Sequence, residues 1–193
     1  MRRFFSILLL LLVCLASYSQ ERLGIFGGVN FSTSSQGGTD IAAGMSIGTL
    51  YDVRLHKSWF VQPRLMASYQ QNTSGSTWGD EKDKMSQWCV TAAVLPSYKW
   101  SLGKACTVQM GAGPYLQYIA LGKSLSHFQS FTMDDEWSFK TDKEQFTCGL
   151  AVSIAFGYRR WFLMADIRHS FQKRNINWRG HELTANISIG VRL

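Results

Sequence analysis

The stretch Phe146-Thr147-Cys148-Gly149-Leu150-Ala151-Val152-Ser153-Ile154-Ala155-Phe156-Gly157-Tyr158 alternates large apolar residues with small or polar ones over its whole length. Two arginines, Arg159 and Arg160, interrupt it, and a second alternating run follows, Trp161-Phe162-Leu163-Met164-Ala165-Asp166-Ile167-Arg168-His169-Ser170-Phe171. Side chains of a β-strand point alternately to opposite faces, so the period of two reads as two strands joined by a tight turn. On each strand one face is continuously apolar and the other is small, polar or charged. A soluble protein would bury that apolar face against a second layer. When every strand carries such a face, the alternative is a closed sheet with lipid outside and side chains or water inside.

Six further segments show the same pattern. Apolar residues fall on odd positions in Leu23-Ile25-Val29-Phe31, in Ile41-Ala43-Met45-Ile47-Tyr51-Val53-Leu55, in Val61-Pro63-Leu65-Ala67-Tyr69 and in Leu183-Ala185-Ile187-Ile189-Val191-Leu193. They fall on even positions in Trp88-Val90-Ala92-Val94-Pro96-Tyr98 and in Cys106-Val108-Met110-Ala112-Pro114-Leu116-Tyr118. The pattern predicts an all-β fold, an eight-stranded antiparallel up-and-down transmembrane barrel. Aromatic residues bound the stripes: Tyr51, Trp59, Tyr69, Trp88, Tyr98, Tyr118, Tyr158, Trp161 and Phe171. The pairs Trp59–Tyr69, Trp88–Tyr98 and Trp161–Phe171 are each ten residues apart. On strands tilted by roughly 40°, that separation rises ~25 Å, the height of the apolar band of an outer-membrane barrel. These aromatics are expected to form girdles at headgroup level, where an apolar ring keeps its N–H or O–H wet.

The N-terminus fits export. Arg2 and Arg3 precede an apolar run, Phe4 to Ala16, too short to span a bilayer comfortably as a helix. Ser17-Tyr18-Ser19 supplies a small-x-small cleavage pattern. Residues 1–19 are therefore expected to be a cleaved signal peptide and residues 20–193 a single outer-membrane barrel domain. Removing Arg2 and Arg3 lowers the formal charge from +7 to +5, and the surplus is spread without a basic run. That distribution predicts no nucleic-acid partner. Cys89, Cys106 and Cys148 would survive processing. Their odd number and their placement on different faces and rims argue against a disulfide framework.

The connections alternate in length. His56-Lys57-Ser58, Ser101 to Lys104 and Arg159-Arg160 are short. Ser32 to Asp40, Gln71 to Met85, Gly122 to Gln145 and Gln172 to His181 are longer and polar. Short turns belong on the periplasmic side of such barrels and long loops outside. Asp134-Asp135-Glu136 in the third loop lacks the ligand spacing of a calcium loop. No cofactor motif is present. Pro63, Pro96 and Pro114 sit inside predicted strands, and each removes one ladder donor. A bulge, or failing that a break in pairing, is expected at each.

Four segments carry a family resemblance. Phe60-Val61-Gln62-Pro63-Arg64-Leu65-Met66-Ala67-Ser68-Tyr69, Val94-Leu95-Pro96-Ser97-Tyr98-Lys99, Gly111-Ala112-Gly113-Pro114-Tyr115-Leu116 and Asp166-Ile167-Arg168-His169-Ser170 resemble strands of the PorT-like outer-membrane β-barrel family. The Gly-Pro-Tyr segment is the most specific of them, and the resemblance runs from about Leu23 to Leu193. Arg64 stands where that family usually carries a carboxylate. The resemblance implies an outer-membrane barrel of a Gram-negative bacterium and a link to assembly of the type IX secretion system.

The inward parity is where any chemistry would lie. The expected lumen charge cluster comprises Arg54, Arg64, Asp166, Arg168, Glu182 and Arg192, with Asp52 on the same parity. Eight strands leave a bore that side chains fill, so these charges should pair into a polar plug. Arg64 lies five residues beyond Trp59 and Asp166 five beyond Trp161, which predicts equal depth on opposite walls, with Arg168 completing the cluster. A serine–histidine hydrolase is disfavoured because His169 and Ser170 point to opposite faces, while His56, His127 and His181 fall in turns or loops. The leading expectation is a non-enzymatic, monomeric barrel without cofactor or metal. It sits in lipid and lipopolysaccharide and contacts partners through Gly122 to Gln145. A small-solute channel or ligand-binding barrel is the first alternative. A secreted lipocalin-like barrel is the second, kept open by inward Phe26, Leu50, Phe60, Ile119 and Phe162.

Overall fold

The computed structural model describes residues 22–34, 42–75, 82–103, 105–128, 131–136, 146–171 and 182–193. The expected signal peptide, residues 1–19, lies outside them. Nine strands are present among the described residues: β1 (Arg22–Ser34), β2 (Ala42–His56), β3 (Trp59–Gly75), β4 (Lys82–Leu102), β5 (Cys106–Phe128), β6 (Phe131–Glu136), β7 (Phe146–Tyr158), β8 (Trp161–Ser170) and β9 (Glu182–Arg192). Eight of them close a barrel in the order β1-β2-β3-β4-β5-β7-β8-β9, every pair antiparallel and β9 returning to β1. Closure leaves no sheet edge in lipid, so every ladder group can find a partner between strands.

The alternation sorts the side chains as the sequence requires. On β7, outward Val152 is 54 % exposed and inward Ser153 is 2 % exposed. The exposed set includes Ile25, Val29, Ile47, Leu65, Val90, Leu150, Ile154, Leu163, Ile167, Ile187 and Ile189. A face this apolar around the whole circumference is stable only against lipid, which rules out the lipocalin-like alternative. The inward aromatics and aliphatics instead form a small layer within the lumen, where Phe26, Leu50, Met66, Ala155, Phe162 and Met164 pack together.

Among the described residues each short turn contains one in the left-handed region: Lys57 (φ 38°), Gly103 (φ 82°) and Arg159 (φ 55°). Tight hairpin turns need such a residue because their twist must match that of the strands.

The two longest expected loops are shorter in the structure, and within the first of them residues 71–75 and 82–85 extend β3 and β4. The segment Gly122 to Gln145 is not one long loop. β5 continues to Phe128 and turns back as β6, whose residues Phe131–Glu136 pair with Lys123–Phe128. Asp134, Asp135 and Glu136 therefore lie on a strand. At the prolines the second of the two expected outcomes holds, a break in pairing without a shift of register. Pro63 lies in a gap of the β2–β3 ladder, between Leu50↔Arg64 and Val53↔Val61. Pro96 and Pro114 share one gap of the β4–β5 ladder, between Ala93↔Tyr115 and Ser97↔Gly111. The register shifts lie elsewhere, at Arg54/His56 and Trp88/Cys89. A missing N–H removes a bond but adds no residue, so it breaks a ladder without bulging it.

At the shared proline gap the two backbones lie close together. A Cβ on Gly113 would collide with the Val94 carbonyl oxygen and touch Pro96 Cδ at 3.1 Å. Gly113→Ala is accordingly expected to cost about 1–3 kcal/mol through overpacking. A urea titration of the refolded barrel in lipid checks it, and an unchanged midpoint would show that the two backbones can part freely.

Candidate functional site

Inward side chains of β2, β3, β4, β5, β7, β8 and β9 build a polar network across the bore. Arg64, from β3, reaches the opposite wall and places Nη1 2.6 Å from Asp166 Oδ1 on β8. Its Nη2 donates to Ser153 Oγ on β7 at 2.8 Å, and its Nε donates to Gln62 Oε1 at 2.7 Å. Nη2 also donates to Gln62 Oε1. Asn186 Nδ2 lies 3.5 Å from Asp166 Oδ2 and donates to Ser188 Oγ at 2.7 Å, while its Oδ1 accepts from Ser46 Oγ at 2.7 Å. Charge-assisted bonds of this kind fix the geometry of both partners.

A second centre lies at Asp52 on β2. Gln62 Nε2 donates to Asp52 Oδ1 at 2.6 Å, so one glutamine links Asp52 to Arg64. Gln109 Nε2 reaches the same oxygen at 3.2 Å. Lys99 Nζ and Arg192 Nε lie 3.5 and 3.2 Å from Oδ2. Arg192 Nη2 donates to Gln109 Oε1 at 3.0 Å, and its guanidinium stacks over Phe162 at 5.1 Å. Two carboxylates and three cations thus share a confined space in which an unpaired charge would be costly.

The expected cluster is partly redrawn by these contacts. Arg64 and Asp166 meet. Arg192 instead joins Asp52, since it lies opposite Gly24 on β1, two residues from the Arg22 that pairs with Asp52, whereas Asp166 lies opposite Asn186, six residues back along β9. Arg54 leaves the lumen: it is exposed at the short-turn rim and donates Nε to the Lys57 carbonyl at 3.1 Å. Arg54 still pairs in register with Phe60, ahead of the shift at Arg54/His56, so its exposure reflects its place on the last rungs of the barrel, where a long side chain reaches the rim. Arg168 does not complete the Arg64–Asp166 pair. Its Nη1 lies 3.0 Å from Thr91 Oγ1 and 3.4 Å from Gln117 Oε1, on the far wall. Glu182 opens β9, but its side chain lies outside the described residues. Sequence reasoning missed Gln62 and Lys99 as members of the network. Their inward parity was the available signal, but partner choice by long side chains was not readable.

The aromatics sit where two ends of the band would be. Trp59 packs edge-on against Tyr98 with ring centres 5.2 Å apart, and Tyr98 packs on Trp100 at 4.6 Å, at the short-turn end. Tyr158 faces Trp161 across the β7–β8 turn. At the other end Tyr69 contacts Trp88 at 5.3 Å and Tyr118 contacts Phe146 at 5.0 Å. Phe171 is exposed beyond the end of β8, while Tyr51 is half-buried on the outer face of β2. Cys89 is buried in the lumen, and Cys106 and Cys148 are half-buried on the outer parity. His169 is exposed on the outer face and Ser170 is buried on the inner one.

A closed barrel with a lipid-facing belt, aromatic ends and a charge-filled bore is the architecture of a small outer-membrane protein. Residues 18–173 match the family described as outer membrane protein beta-barrel domain. The chain belongs to this family. As a member of the outer membrane protein beta-barrel domain family, it resides in the outer membrane of a Gram-negative bacterium. No curated protein matches the chain by sequence. Among solved structures it is similar to a major outer membrane protein of Thermus thermophilus, at 14% identity and a TM-score of 0.50, covering 88% of this chain and 99% of that one. Neisserial surface protein A aligns at 14% identity and a TM-score of 0.47, covering 91% and 98%. Ail of Yersinia pestis, solved with the heparin analogue sucrose octasulfate, aligns at 11% identity and 0.47, covering 90% and 97%. At these identities the likeness is one of fold.

Proposed function

We propose that this chain acts as a non-enzymatic, monomeric accessory barrel of the outer membrane, exported with loss of residues 1–19. Its long-loop face contacts protein partners or lipopolysaccharide. The observation that carries the reading is the network from Lys99 through Asp52, Gln62 and Arg64 to Asp166, which crosses the bore from wall to wall. A lumen filled this way favours a scaffold over a diffusion path. Binding specificity on a rigid scaffold concentrates in its connections, and the β5–β6 hairpin extends one of them beyond the β5–β7 ladder, which ends at Tyr118↔Phe146. The PorT-like resemblance supports placing the partner in assembly of the type IX secretion system.

Crosslinking in native outer membranes tests this reading. Ser124 and Asp135 face each other in the hairpin register, so two glycines can replace residues 125–134 and close the strands with a tight turn. The shortened chain is expected to keep the gel mobility of a folded barrel and to lose most of its protein crosslinks. A crosslink pattern identical to the full chain's would remove the hairpin from the binding face.

A further inference from the structure

Among the described lumen residues, four cations face inward with two carboxylates. Arg64 is matched to Asp166, and Lys99 and Arg192 to Asp52. Arg168 is matched to neither. Its side chain is buried, the residue being 4 % exposed, and its Nε and Nη2 have no hydrogen-bond partner among the described residues. Asp166, two residues below it on the same wall, is committed to Arg64 at 2.6 Å and lies near Asn186. A buried guanidinium with two unserved donors is strongly unfavourable unless an anion or acceptor joins it.

The surroundings are donors as well. Arg168 spans from β8 to Thr91 on β4 and Gln117 on β5. Gln117 uses Oε1 there, leaving its Nε2 without a partner among the described residues. On β3, Ser68 is paired in register with Cys89, one inward step above Thr91. Ser68 Oγ and Gln70 Nε2 are likewise buried and unmatched. Below the guanidinium lies the Tyr115 ring, 6.0 Å away, which packs with Leu95 and Ala151 into an apolar floor. Such a floor lowers the local dielectric and strengthens any charge interaction above it.

We propose that Arg168, Gln117, Ser68 and Gln70 form a binding site for a small free oxyanion of the sulfate or phosphate class. Arg168 supplies the charge and a planar fork that matches two oxygens. Gln117 and Ser68 supply neutral donors to the others. The site lies one layer inside the long-loop aromatics, because Gln117 precedes Tyr118 and Thr91 follows Trp88 by three residues. The Arg64 network closes the bore beneath it, so the anion enters from the long-loop end.

The test uses the full barrel in a maltoside detergent and phosphate-free buffer, with sodium sulfate as the probe and sodium chloride at matched ionic strength as the control. Wild type is expected to show a saturable, sulfate-specific rise in thermal midpoint and saturable calorimetric binding. Arg168→Gln should abolish both. If that variant does not fold, Gln117→Leu, which keeps the guanidinium, should weaken sulfate binding about tenfold, the worth of one bond to a charged group. Glu182→Gln should leave binding in place. No sulfate-specific effect in wild type would overturn the proposal, since water or a carboxylate of the chain would then serve Arg168. Binding that survives Arg168→Gln, or that appears only in Glu182→Gln, would overturn it equally.

Discussion

Asp166→Ala is expected to destabilise the barrel by about 3–5 kcal/mol, because it strands the Arg64 guanidinium in the lumen without its carboxylate. Asp166 holds Arg64 at 2.6 Å from across the bore, and Asn186 and Ser46 extend the same chain of contacts. The loss should exceed the small net worth of an exposed ion pair because both side chains are about one-tenth exposed. Urea titration of the refolded protein in lipid measures the cost. Planar-bilayer recording supplies a second readout. Wild type should be electrically quiet, whereas the variant should flicker or conduct as Arg64 leaves its place. Replacing both partners with apolar residues of similar size, Arg64→Met with Asp166→Leu, should recover much of the stability, since no buried charge then lacks a partner. A variant as stable and as quiet as wild type would mean that the pair does not hold the plug.

Val152→Arg and Ile187→Arg should each cost about 2–4 kcal/mol, because both positions lie near mid-strand on the lipid-facing side. Leu183→Arg, at the long-loop end of β9, should cost about 1 kcal/mol or less, since the penalty falls toward the headgroups. The inward replacement Thr147→Ser keeps its hydroxyl and should cost about 1 kcal/mol for the lost methyl. The four variants together map depth and parity in one refolding series. Equal costs for Val152→Arg and Leu183→Arg would contradict the position of the apolar belt, and a cost-free Val152→Arg would contradict its contact with lipid.

The two sets of substitutions probe different layers of the same barrel. Outward residues act singly, each against a solvent of hydrocarbon, so their effects should add. Lumen residues act through shared partners such as Gln62, which contacts both Asp52 and Arg64, so their effects should couple.

The sequence by itself determined the closed all-β architecture, the lipid-facing parity and residence in the outer membrane. These follow from a period of two that each strand carries alone and that no distant contact can alter. It also determined the depth of Arg64 and Asp166, because both are counted from a tryptophan on their own strand. Tertiary structure decided the rest. The nearness of the β2–β3 turn drew Arg54 out of the lumen to the Lys57 carbonyl at the rim. The register of β2 and β9 on the shared strand β1 brought Arg192 to Asp52. The length of the Arg168 side chain let it cross to β4 and β5 instead of joining Asp166. The β5–β6 hairpin arose inside a segment that composition marked only as polar. In each case the outcome depended on which strands lie next to which, and on how far a long side chain reaches across a narrow bore. Neither quantity is a property of a single strand, and that is why local alternation could not express them.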